Sequence, residues 1–199
     1  TNILLVPSAD EMLRYVEGIM PSFIVSTSYE HFIHSLCKII GFREVNVYCT
    51  RLDIDEYALA REETKTLRAL GDEIIEMPMI EIPPNAISLE DFSSRDRANI
   101  KRLDEIFWET IPMMSAGRIL EEINPVGGFE KANAVQDIVG RVGSELSSVM
   151  YVGDSITDVE PLRLVRREGG LTVSFNGNQY AIREAEIAIL SSNAIITSV

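Results

Sequence analysis

Positive charge is scarce in this chain. Its 199 residues carry 18 Lys and Arg against 31 Asp and Glu, a formal net charge of −13. A surface this acidic argues against nucleic-acid and anionic-membrane partners, whose binding rests on Lys and Arg. It suits a protein that concentrates cations, or serves only solubility. Cysteine is nearly absent too. Cys37 and Cys49 form no C-x-x-C pair, so no disulfide framework is implied and a reducing cytoplasm is the default setting. No apolar run reaches membrane-spanning length, and no basic segment followed by an apolar one opens the chain, so no membrane insertion is expected. Internal repeats and low-complexity tracts are missing as well. The length suits one domain with room for an insertion.

What is present is an alternation of short apolar runs and amphipathic stretches. An apolar run over Asn2 to Val6 leads into Ser8-Ala9-Asp10-Glu11, whose S-x-x-E form predicts a capped helix ending near Gly18. Phe23-Ile24-Val25 reads as a strand ending in Ser26-Thr27-Ser28, and a helix follows from Tyr29 to Ile40 with Gly41 as its stop. Val45 to Thr50 is the next strand. Residues 55–125 look like a mostly helical insertion, with a charged helix stopping at Gly71, a connector containing Pro78, Pro83 and Pro84, and a long helix from Leu89 to Ile111. Trp108 and Phe107 are expected in the insertion's core, and Met77, Met79, Met113 and Met114 suit packing it against the main body. The pattern then resumes with a helix over Phe129–Val142, a strand over Val149–Gly153, and a helix carrying Val159, Leu162 and Val165. A strand at Leu171–Phe175, a turn at Asn176–Asn178 and a strand at Ile187–Leu190 close the series. Strands alternating with helices predict an α/β fold with a Rossmann-like parallel sheet.

Three places could carry chemistry. The run Val149 to Asp158 ends a strand in Gly153 and then places Asp154 and Asp158 four residues apart. Ligands collect at such strand ends, and two carboxylates there can hold Mg²⁺. The structural alternative is a turn in which Asp154 or Thr157 caps the next helix, Thr157-x-x-Glu160 being itself a capping box. Lys131 is the second place. At roughly 100° per residue it falls among Ala132, Val135, Ile138, Val139 and Val142. A lysine on that arc needs a partner for its charge, unless it snorkels out at the sheet's edge. The third is Ser26-Thr27-Ser28, three hydroxyls between a strand and a helix, where an anion is favoured and where one hydroxyl would serve as N-cap. His31, His34 and Cys37 share one helix, but with no second ligand cluster they make a poor metal site.

In order, Phe23-Ile24-Val25-Ser26, Lys131 and Gly153-Asp154-Ser155-Ile156-Thr157-Asp158 resemble motifs II, III and IV of the haloacid dehalogenase-like (HAD) phosphatases. Val173 to Asn178 and Ala185 to Ile189 are similar to the strands that follow in that family. Ile24 to Tyr29, the helical insertion and Phe175 to Asn178 are further similar to an archaeal HAD-like group, some of whose members are named energy-converting hydrogenase A subunit R. The resemblance implies hydrolysis of a small phosphate ester through an aspartate nucleophile and Mg²⁺. It would make Ser26, Lys131 and Asp158 catalytic, Thr27 and Asn176 substrate-binding, and Asp154 and Asp158 metal-binding. A protein partner or a homo-oligomer stays open, as does a non-catalytic binding or assembly subunit that keeps the fold.

One element of the pattern is missing. No apolar strand ending in D-x-D-x-[TV] precedes Ser26, and Asp53-Ile54-Asp55 comes too late in the order. In the family that strand lies between those of motifs II and IV, so its loss would leave two unpaired edges in the core. The expectation is that residues 1–199 form a HAD-like core lacking its motif I strand, that residues 55–125 are an insertion or small cap, and that the natural polypeptide continues upstream of Thr1.

Overall fold

The computed structural model describes residues 3–198. The chain divides into two compact units, Thr1–Leu52 with Asn124–Val199, and Asp53–Ile123.

In the first unit, α1 (Ala9–Glu17) leads to β1 (Ile24–Tyr29), α2 (Glu30–Ile40) and β2 (Val47–Thr50). After residue 124 come α6 (Phe129–Val142), β3 (Met150–Gly153), α7 (Val159–Arg167), β4 (Leu171–Phe175), α8 (Gln179–Glu184) and β5 (Ile187–Ile189). All pairings are parallel, β1 with β2 and β3 with β4 with β5, so each strand pair needs a helical crossover. The fold class is α/β, as the alternation predicted. The strands form two separate sheets rather than one, of order β1-β2 and β3-β4-β5.

The apolar side chains gather in two clusters to match. Ile33, Cys37, Ile40 and Phe42 pack with Leu13, Ile24 and Val47 around the first sheet. Val135, Tyr151, Leu162, Val165 and Ala181 pack around the second. Cys37 is therefore a core residue. Helix α6 reaches both sheets. Its Asp137 accepts a hydrogen bond from the Tyr48 hydroxyl, and its Arg141 donates to that hydroxyl at 2.7 Å, while Lys131 reaches the turn after β3.

Several local expectations are corrected. Ser8 sits in the left-handed region (φ 61°) with no side-chain cap, and its hydroxyl instead lies 3.3 Å from the Asn193 amide. The three hydroxyls at 26–28 belong to β1, and α2 begins directly behind Tyr29 without a side-chain cap, so none of them caps it. Residues 179–184, to which the sequence pattern assigns no element, form helix α8. Asn178 caps it by accepting from the Tyr180 and Ala181 amides. The run at the N-terminus forms neither helix nor strand over Ile3–Val6, and Asn2 lies outside the described residues.

The second unit holds α3 (Arg61–Glu76), α4 (Ser94–Asp104) and α5 (Arg118–Glu122). Helix α3 runs through Gly71, whose cost of about 1 kcal/mol in a helix is small beside the packing of Leu70. The long helix expected to Ile111 ends as a π-helical turn over Glu105–Thr110 and a 3₁₀ turn containing Pro112. Ile106 is buried there, whereas Trp108 is 73% exposed and Phe107, Met79 and Met113 are exposed too, against the expectation of core and packing roles. Arg102 binds Glu73 through two hydrogen bonds, at 2.6 and 3.0 Å, and so joins α4 to α3.

Candidate active site at the carboxyl ends of β1 and β3

Strand β3 alternates its side chains, so Tyr151 and Gly153 are buried while Met150 and Val152 are exposed. Directly after it the chain turns at Asp154 and enters a short 3₁₀ turn, Ile156–Asp158, before α7. The capping box there is Ser155 with Asp158 rather than Thr157 with Glu160. Asp158 Oδ2 accepts from the Asp154 and Ser155 backbone N–H groups (3.1 and 3.0 Å) and from the Ser155 hydroxyl (3.1 Å).

Its other oxygen meets Lys131. Lys131 Nζ and the Tyr151 hydroxyl both donate to Asp158 Oδ1 at 2.8 Å. Lys131 is 6% exposed and Asp158 2%. The lysine on the apolar arc of α6 has thus found its partner, 27 residues along the chain. Burial alone would raise the Asp158 carboxyl, but the Lys131 hydrogen bond and charge, with the Tyr151 hydroxyl, bring it below its ordinary 3.8. Burial, then the Asp158 charge, raises the Tyr151 hydroxyl, so it keeps its proton and donates. Tyr151 and Ser155 are the members that sequence reasoning missed. The period-2 alternation that puts Tyr151 on the covered face with Gly153 was the available signal for one of them.

Asp154 has a different environment. It is exposed as a residue, yet its carboxyl is crowded enough by nearby atoms that burial, then the Asp158 charge, raises it, and Lys131 only partly offsets them. Gly153 is required by this crowding. A Cβ there would stand 2.5 Å from Asp158 Cβ and 2.7 Å from its Cγ. Gly153→Ala is accordingly expected to cost about 1–3 kcal/mol through overpacking, measured by urea denaturation.

The hydroxyl-bearing end of β1 comes to the same rim through the loop before α6. The Thr27 hydroxyl donates to Val126 O (2.8 Å), the Thr50 hydroxyl donates to Thr27 O (2.7 Å), and the Val126 N–H donates to Thr50 Oγ1 (3.0 Å). Two residues on, Gly128 N–H donates to Thr157 O at 3.0 Å. A Cβ at Gly127 would lie 3.5 Å from Thr157 and 3.6 Å from Thr27 Oγ1, so these two turns flank a single residue. Ser26 lies one position before Thr27 and is half-buried, its Oγ accepting from the Ser28 N–H at 3.2 Å.

Asn176 sits on the β4 side. Its backbone is left-handed (φ 50°), and both ends of its amide are held by Ser191, with Nδ2 donating to the carbonyl at 2.8 Å and Oδ1 accepting from the N–H at 2.9 Å. The Asn178 N–H donates to Asp154 O at 2.8 Å, which ties this turn to the one after β3. Asp53 caps a 3₁₀ turn after β2 by accepting from the Asp55 N–H.

No group of three or more His, Cys, Asp or Glu able to hold a metal is present among the described residues. No helix among them is long and apolar enough to cross a membrane. No curated protein matches the chain. A solved gene product of Archaeoglobus fulgidus matches 97% of this chain and 54% of its own length, at 25% identity and a TM-score of 0.75. This chain therefore spans about half the length of that structure. A hypothetical protein of Geobacillus kaustophilus shares the fold at 14% identity and a TM-score of 0.50, with 96% of this chain and 89% of that one covered. The model of the haloacid dehalogenase-like hydrolases matches residues 10–195, nearly the whole sequence, and the chain belongs to that family.

Proposed function

We propose that the rim formed by the ends of β1 and β3 is the phosphoryl-transfer site of a phosphohydrolase acting on a small phosphate ester. The observation that carries this is the buried Lys131–Asp158 pair beside the exposed Asp154, tied to the hydroxyl-bearing end of β1 by residues 126–128. An ammonium has three donors, and Asp158 occupies one, so Lys131 retains two for phosphoryl oxygens. Ser26 keeps its hydroxyl proton for a third contact, since its Oγ acts only as acceptor toward Ser28. Asp158 fixes Lys131 and the turn that carries Asp154, acting as a positioning residue. Thr27 and Asn176, whose polar atoms already hold neighbouring segments, shape the substrate's surroundings.

Asp154 suits Mg²⁺. It offers a hard oxygen donor, and two carboxylates share one lysine here, which leaves a surplus negative charge to favour a cation. Among the described residues too few acidic groups gather here to complete the coordination, so water, substrate and a further acid would contribute. Bound there, the ion would neutralise charge on the transferring phosphoryl group. The nucleophilic aspartate of the reaction would come from polypeptide upstream of Thr1. The two unpaired cysteines, Cys37 and Cys49, suit a cytoplasmic setting.

Turnover of a generic aryl phosphate by the polypeptide extended with its upstream residues tests this. Hydrolysis should require added Mg²⁺ and fall to background with excess EDTA. A folded polypeptide that binds inorganic phosphate but turns nothing over would instead be a non-catalytic binding or assembly subunit, the role that the hydrogenase-subunit likeness carries.

A further inference from the structure

Strand β3 puts Tyr151 and Gly153 on its covered face. Tyr151 is 8% exposed and packs with Val135, Leu162, Val165 and Ala181. Phenylalanine would fill that space as well, so the core has no need of the hydroxyl. A buried hydroxyl takes a partner, and this one donates to Asp158 Oδ1 at 2.8 Å, the same oxygen that holds Lys131. A core residue thus delivers its polar tip to the rim.

Asp158 receives five hydrogen bonds, three on Oδ2 from residues 154 and 155 and two on Oδ1 from Lys131 and Tyr151. A carboxylate offers about four lone-pair sites, so every one is occupied. Nor can the carboxyl shift to make room. A Cβ on Gly153 would stand 3.2 Å from Oδ1 and closer still to Asp158 Cβ and Cγ, so the side chain is seated against the strand backbone. Lys131 is then limited to one bond with Asp158, and no other acceptor holds it among the described residues. Without the Tyr151 hydroxyl, Oδ1 would have a lone pair within reach of a second ammonium proton. Lys131 and Asp158 are 6% and 2% exposed, so the ammonium rather than bulk water would take it.

We propose that Tyr151 is a positioning residue of the phosphoryl site. Its hydroxyl closes Asp158 Oδ1 to a second ammonium proton and so keeps two Lys131 donors turned toward phosphoryl oxygens. Tyr151 touches neither substrate nor metal and acts through Lys131. The consequence for phosphate rests on the phosphohydrolase reading of the rim; the arrangement itself rests on the five bonds.

Tyr151→Phe in the full-length polypeptide should fold with little change in melting temperature. It should bind inorganic phosphate about 10-fold more weakly, the scale of one hydrogen bond to a charged group. KM for an aryl phosphate should rise by the same factor while kcat changes little, since the phosphoryl oxygens carry charge before and during transfer. Lys131→Met should abolish the difference, so that the double variant binds phosphate as weakly as Lys131→Met alone. If Lys131→Met does not fold, the nitrogen resonance of the Lys131 side chain carries the comparison, and it should move in Tyr151→Phe before any phosphate is added. Three results would overturn the proposal. These are wild-type phosphate affinity in Tyr151→Phe, an equal loss with and without Lys131, or an unmoved Lys131 resonance. The first of them with a lowered melting temperature would make the hydroxyl a packing device. Weaker phosphate binding in Tyr151→Phe, with no turnover by either protein, would keep the role of Tyr151 in an anion site and remove the hydrolysis.

Discussion

Asp154→Asn should lower Mg²⁺-dependent phosphate-ester hydrolysis by about 10³-fold or more while leaving thermal stability unchanged or slightly raised. The loss follows from removing the exposed carboxylate that would hold the cation, since electrostatic groups aimed at the transition state each supply about 10²–10³ in rate. The stability effect has the opposite sign because of what surrounds the residue. Burial, then the Asp158 charge, raises its carboxyl, and these outweigh Lys131. A neutral amide of the same shape ends that repulsion. The backbone N–H of residue 154 still donates to Asp158, so the turn persists. The measurements are turnover of an aryl phosphate by the polypeptide with its upstream residues and a melting curve of each variant. Unchanged turnover would remove Asp154 from the site.

Lys131→Met should produce the largest loss of stability, about 3–5 kcal/mol, because it leaves the Asp158 carboxylate buried without a counter-charge. Asp158→Asn strands the lysine and should cost a similar amount. The double variant should cost less than the two together, with a coupling of about 1–3 kcal/mol in a double-mutant cycle read by urea denaturation. pH provides a second readout. The Asp158 carboxyl lies below its ordinary 3.8 in the folded chain, so the unfolded chain takes up its proton first. Its stabilising contribution is present above about pH 4 and is lost as pH falls through the folded value. Wild type should therefore show a steep acid limb below pH 4, and Asp158→Asn a flatter one. A Lys131→Met protein within about 0.5 kcal/mol of wild type would show that the pair does not organise the site.

The same two residues show how far the sequence could be read. Helical periodicity alone puts Lys131 on the arc of Val135 and Val139, and the cost of an unpaired buried charge then demands a partner. Which carboxylate answers was open, because Asp154 and Asp158 are alike in sequence and the choice is made by a contact 27 residues away. The capping box moved from Thr157–Glu160 to Ser155–Asp158 for a related reason. Ser155 and Asp158 are already drawn together by the closed turn at Gly153, where only a hydrogen fits. The insertion's helices were legible in outline, yet Trp108 lies outside its core because a π-helical turn shifts the face that the helical pattern had assigned.

From order and periodicity alone came the parallel α/β class, the strand ends that carry hydroxyls and carboxylates, and the lysine at the head of α6. These follow from local rules, because alternation and helical repeat express which faces are buried wherever the elements finally lie. Only the tertiary structure separated the acids into an exposed Asp154 and a locked Asp158, gave Thr27 and Asn176 their partners, and brought the Tyr151 hydroxyl onto the oxygen that holds Lys131. Those outcomes depend on which distant segments meet, and a linear chain holds no record of a shared hydrogen-bond partner until its neighbours are in position.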